Sequence, residues 1–93
     1  MLFLLNGTRR AGVSREKFIE YIQQPMDPQE WELIREGIVS NLLFKTGEIP
    51  GMLVIIHAKD LAEAKRYAES TPIFKDGLLD FSIDPVNRFP HFD

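Results

Sequence analysis

Ninety-three residues, 44% hydrophobic and 27% charged, describe one small folded domain rather than a disordered chain. A net charge of −3 and a pI near 5.3 argue against a nucleic-acid binder, for which the adjacent pair Arg9-Arg10 is too little. With no cysteine there is neither a disulfide framework nor a thiolate metal site, a composition compatible with a cytoplasmic protein.

In chain order, residues 1–8 read as a first strand that ends at the turn signals of Gly7 and Gly12. The run MLFLL at residues 1–5 has no basic flank. It is also far shorter than the roughly 20 apolar residues a membrane helix needs, so neither a signal peptide nor a membrane span is expected. Ser14 is a helix N-cap with Glu16 in the first turn, and Phe18, Ile19, Tyr21 and Ile22 recur at helical spacing. Pro25 disfavours helix at Gln24, so the first helix ends or kinks there. Asp27 caps a second helix, with Pro28 at its first position, Glu30 completing a capping box and Gly37 at its end. Residues 38–45 are a second strand, 46–51 a turn of hairpin length, and 52–58 a third strand. Asp60 and Glu63 form another capping box, opening a helix whose stripe is Leu61, Ala64 and Tyr67 or Ala68, and Pro72 ends it. After a turn at Gly77, residues 78–83 alternate as a fourth strand, which Pro85 stops. The tail beyond it carries Phe89 and Phe92 without periodicity.

The resulting β-α-(α)-β-β-α-β order predicts a single α+β domain over residues 1–93. Its architecture is a ferredoxin-like βαββαβ fold, with a four-stranded antiparallel sheet and helices on one face. A sheet with one face in water alternates apolar and polar residues. Strands one and three do not: Leu2 to Leu5 and Leu53 to Ile56 are apolar at every position. A second cover is therefore expected. The same face of another copy supplies it at least cost, giving a homodimer or higher homo-oligomer; the alternative is the chain's own tail, through Phe89 and Phe92.

Chemistry-bearing motifs are few. No zinc-protease spacing, phosphate loop, dinucleotide fingerprint or serine elbow is present, so no metal or cofactor is implied. His57, at the end of strand three, is the first candidate for proton transfer; the other reading is a strand-end histidine bonded to backbone. Asp80 and Asp84 alternate with apolar neighbours on strand four, either as acid/base groups lining an intersubunit cavity or as charges on a solvated edge. Asn6 and Asn41 are polar positions within apolar strands, and Trp31 is a residue of core, interface or ligand stacking. Arg9 and Arg10 follow strand one directly, where they can hold a substrate carboxylate or lie in a solvated loop.

Met1-Leu2-Phe3, Arg35-Glu36-Gly37, Thr46-Gly47 and Pro72-Ile73-Phe74 resemble the pattern of the muconolactone isomerase family. Glu63-Ala64 through Pro72, Gly77-Leu78 and Ile83-Asp84-Pro85 resemble the C-terminal half of YCII-like proteins. Both families belong to the dimeric α/β-barrel superfamily, in which two ferredoxin-like sheets enclose a cavity. Thr71 stands where YCII-like proteins carry an Asp, and strand two lacks the Trp usual in the isomerases. The resemblance implies a cofactor-free isomerase or lyase acting on a small cyclic compound by acid/base proton transfer in a cavity between subunits. On the reading of the residues given above, His57 and Asp80 would be the acid/base groups of such an enzyme, and Asn6, Asn41, Arg9 and Trp31 its substrate contacts. The competing expectation is a YCII-like or non-catalytic protein that binds a small apolar ligand or serves assembly. Either way the site is expected between sheet and sheet or between sheet and helices.

Overall fold

The computed structural model of the chain describes residues 1–71, 75–88 and 90. In order the elements are β1 (Leu2–Arg9), α1 (Arg15–Ile22), α2 (Pro28–Arg35), β2 (Val39–Lys45), β3 (Gly51–His57), α3 (Leu61–Ser70) and β4 (Leu79–Val86). The strands form one sheet in the order β2-β3-β1-β4, every pair antiparallel. This is the ferredoxin-like arrangement, with two helices in its first crossover.

Strand alternation decides which residues meet the helices. On β1, Phe3, Leu5 and Gly7 are buried, and on β3 Met52, Val54 and Ile56 are. They form one core with Phe18 of α1, Ala64 and Ala68 of α3, and Leu79 of β4. Phe3, Leu5, Phe18 and Ile56 are almost fully excluded from water, each worth roughly 1.5–3 kcal/mol of transfer free energy. The small side chains of Ala64 and Ala68 let α3 lie close on the sheet. Leu61, expected on the same stripe, is 40% exposed, so the stripe begins one turn later.

Short helices need their ends secured, because 8 to 10 residues are marginal alone. Ser14 Oγ accepts from the Lys17 amide at 3.1 Å, and Asp60 Oδ1 accepts from the Glu63 amide at 2.8 Å. Glu63 Oε1 in turn accepts from the Lys59 amide at 3.2 Å. At the end of α2, Gly37 takes φ +78°. The Gly37 and Ile38 amides donate to the carbonyls of Ile34 and Leu33, a Schellman closure that only a residue free in the left-handed region completes without strain.

One boundary differs from the sequence expectation. Pro85 does not stop the fourth strand: it pairs with Phe3, and β4 runs on to Val86. β4 is an edge strand, where a residue without an amide proton is tolerated on the unpaired side. Residues 72–74, Phe89 and Phe92 lie outside the described residues, and with them the expectations of a helix stop at Pro72 and a cover from the tail.

The other face of the sheet carries Leu2, Leu4 and Asn6 of β1, Leu53, Ile55 and His57 of β3, Asn41, Leu43 and Lys45 of β2, and Asp80, Ser82 and Asp84 of β4. Its central leucines and isoleucine are half-buried, and Leu43 is 57% exposed. The apolar double parity of β1 and β3 thus resolves into a packed helix-side face and an open apolar face.

Candidate functional site

A cavity of about 520 Å³ lies between the helices and the sheet, within the 300–1,000 Å³ usual for small-ligand sites. Its floor is apolar and buried, made by Leu5, Met52, Val54 and Ile56, with Leu33 of α2 and Ala68 of α3 at the sides. Exposed lining residues, Gln24, Pro25, Asp27, Pro28 and Asp76, form its rim. Local sequence explains why it opens here. Pro25 and Pro28 separate α1 from α2 and keep the chain between them extended. The two short helices therefore do not close over the sheet.

The polar groups gather around Tyr21 and Glu30. Both are half-buried, and among the described residues neither side chain makes a hydrogen bond. Burial, then the nearby carboxyl groups of Glu30, Asp76 and Asp27, push the Tyr21 phenol up to about 12. That phenol is a hydrogen-bond donor throughout the physiological range, never a base. Burial, and then Asp27, raise Glu30 above the ordinary carboxylate value, the direction that readies a carboxyl group for proton transfer. The capping box expected at α2 is not made. Asp27 Oδ1 accepts from the Gln29 amide at 2.8 Å, while Glu30 turns into the cavity. Its place three residues after a cap gave it a structural reading, and only the tertiary fold shows that its side chain faces a pocket. No Arg, Lys or His is among the described lining residues.

The residues singled out from sequence fall elsewhere. His57 and Asn41 flank a shallower depression of about 400 Å³ on the open face, with Leu2, Ile55, Val86 and Arg88. His57 is exposed, and its backbone amide donates to the Ile38 carbonyl at 2.7 Å. Asp80 lies at the opposite end of the same face. His57 pairs with Leu2 and Asp80 with Thr8, six residues apart along β1, or roughly 20 Å at strand spacing. Within one chain the two do not meet on a small substrate. Asp80 is engaged by Arg10, whose Nε lies 2.9 Å from Oδ1. Both side chains are well exposed, so the pair contributes little to stability. Asn6 accepts from Lys45 Nζ at 2.6 Å. Arg9 Nη1 is spent on the Val13 carbonyl at 3.0 Å, and Trp31 is 51% exposed on α2 and does not line the cavity. Among the described residues, no cluster of three or more His, Cys, Asp or Glu is arranged to hold a metal, and no helix is long and apolar enough to cross a membrane.

No family model matches the chain, and no curated protein sequence matches it. Among solved structures it is similar to 5-chloro-2-hydroxyhydroquinone dehydrochlorinase (TftG) from Burkholderia phenoliruptrix AC1100, in complex with 2,5-dihydroxybenzoquinone. The TM-score is 0.68 at 19% identity, and all of both chains is covered. At that identity the likeness is one of fold, and it supports the ferredoxin-like arrangement over the whole length.

Proposed function

We propose that the chain binds a small cyclic compound in the helix-side cavity and acts on it by proton transfer at Glu30, with the Tyr21 hydroxyl holding an oxygen of the ligand. The observation that carries this reading is the cavity itself: an apolar floor that suits a ring, with an acid and a hydroxyl donor at one side. The fold neighbour, named as a dehydrochlorinase of a hydroxylated ring, supports a compound of that kind. The finer readings are a muconolactone-type isomerisation and a dehydrochlorination-type elimination. Both move a proton on a ring and ask the same of Glu30. A YCII-like protein, or a non-catalytic ligand binder, would use the same cavity without turnover.

A second reading keeps His57 and Asp80 as the acid/base groups, in a cavity formed where two copies join their open faces. The half-buried Leu4, Leu53 and Ile55 at the centre of that face favour it. A two-fold axis would be needed to bring His57 of one copy toward Asp80 of the other.

Chloride release from 5-chloro-2-hydroxyhydroquinone and isomerisation of a muconolactone, followed by absorbance, test both. With activity in hand, Glu30→Gln is expected to lower kcat at least about 100-fold. His57→Ala and Asp80→Asn should stay within about twofold of the parent. The reverse pattern would move the site to the open face, and turnover that survives all three substitutions would remove both assignments.

A further inference from the structure

We infer that the helix-side cavity discriminates by charge, admitting neutral or cationic hydroxylated rings and turning away rings that carry a carboxylate. The inference rests on reading this cavity as a ligand site and adds the class of ligand it takes; it sets the dehydrochlorination-type reading above the muconolactone-type one, whose substrate carries a carboxylate. Three carboxyl groups, those of Asp27, Glu30 and Asp76, stand on its lining, and no basic side chain among the described lining residues offsets them. The basic residues singled out near strand one are committed elsewhere: Arg9 to the Val13 carbonyl and Arg10 to Asp80.

The N-terminus of α2, which would otherwise attract an anion, reaches the cavity at Pro28. Pro28 has no amide proton to offer, and the Gln29 amide is taken by Asp27 at 2.8 Å. The Asp27 carboxylate thus occupies the Gln29 amide and sets a negative charge of its own at this helix end. What remains suits ring hydroxyls, which donate to the carboxyl groups, and a ring carbonyl, which accepts from Tyr21. The Thr71 hydroxyl is already used, donating to the Ala68 carbonyl at 2.6 Å. A carboxylate placed beside Glu30 or Asp76 would meet like charge in a half-enclosed, apolar-floored space. One such repulsion several ångströms apart is worth about a tenfold loss of affinity.

The test is an NMR titration of the intact chain with catechol, 3,4-dihydroxybenzoate and 3,4-dihydroxybenzylamine, which share one dihydroxylated ring and differ in charge. Catechol and the amine are expected to shift the resonances of cavity residues such as Leu33 and Val54, with the benzoate at least about tenfold weaker. In the Glu30→Gln/Asp76→Asn double variant, the benzoate should come within about twofold of catechol. Equal or tighter binding of the benzoate to the parent chain would overturn the charge inference and leave the ligand-site reading intact. If none of the three rings perturbs cavity resonances, the ligand-site reading fails, and the charge inference with it. Dispersion of the variant's amide spectrum reports whether it is folded, and the parent-chain comparison stands without it.

Discussion

Tyr21 has a strongly displaced titration, and its sign fixes a measurable consequence. Its phenol is raised to about 12 from an ordinary value of 10.0. The folded state therefore holds the proton more tightly than the unfolded one. That contribution to stability is complete below pH 10 and is lost as pH rises toward 12. A Tyr21→Phe variant should lose less stability than the parent between pH 10 and pH 12 in urea unfolding, with the two curves converging in shape at neutral pH. If the curves run parallel across the alkaline range, the phenol is not displaced. Gly51 poses a steric demand of another kind. A side chain there would run into the Gly7 carbonyl oxygen of the neighbouring strand and press on Lys45 Cδ at 3.3 Å. Gly51→Ala is expected to cost about 1–3 kcal/mol in chemical denaturation. An unchanged midpoint would show that β1 and β3 are freer to separate at this end than their register implies.

At the scale of elements, the short helices depend on their caps and the strands on their neighbours. In α3, the Asp60 side chain satisfies the Glu63 amide and Glu63 returns a bond to Lys59. Asp60→Ala should lower stability by about 1 kcal/mol, read from the urea midpoint, and a change within error would mean that packing of Ala64 and Ala68 alone holds α3. The same D-x-x-E pattern opens α2, yet there Glu30 is turned to the cavity and Asp27 bonds the Gln29 amide instead. Two identical sequence signals thus have different outcomes. In α2 a half-buried position beside an apolar cavity competes for the glutamate. Pro85 teaches a similar lesson: a residue that interrupts a central strand is accommodated in β4, because strand order puts β4 at the edge.

For the whole molecule, the open face of the sheet sets the next question. Leu4, Leu53 and Ile55 lie at its centre, flanked by Asn6–Lys45 on one side and the acidic β4 on the other. Pairing of this face with that of a second copy is the association proposed from its composition. On that proposal the parent chain sediments as a dimer or larger at micromolar concentration, and Ile55→Lys shifts it to monomer without loss of helical circular dichroism. A monomeric parent chain would leave this face to the tail or to solvent.

The strand and helix order was written locally. Alternation in β4, caps at Ser14, Asp27 and Asp60, and glycines at the turns each act within a few residues, so the ferredoxin-like layout was legible in the sequence. The apolar character of both faces of β1 and β3 was legible too, because runs such as Leu53 to Ile56 are apolar at both parities. The site was not legible in the same way. A strand residue shows its parity in sequence but not which parity meets the helices. That was decided by the packing of Phe18, Ala64 and Ala68 on one side. Distance along the sheet was equally hidden, and it put His57 and Asp80 roughly 20 Å apart on one face. The pairing of Tyr21 with Glu30, Asp27 and Asp76 joins three separate segments. Only the way α1 and α2 splay from the sheet creates the cavity they share, since no local pattern records how far two helices stand apart.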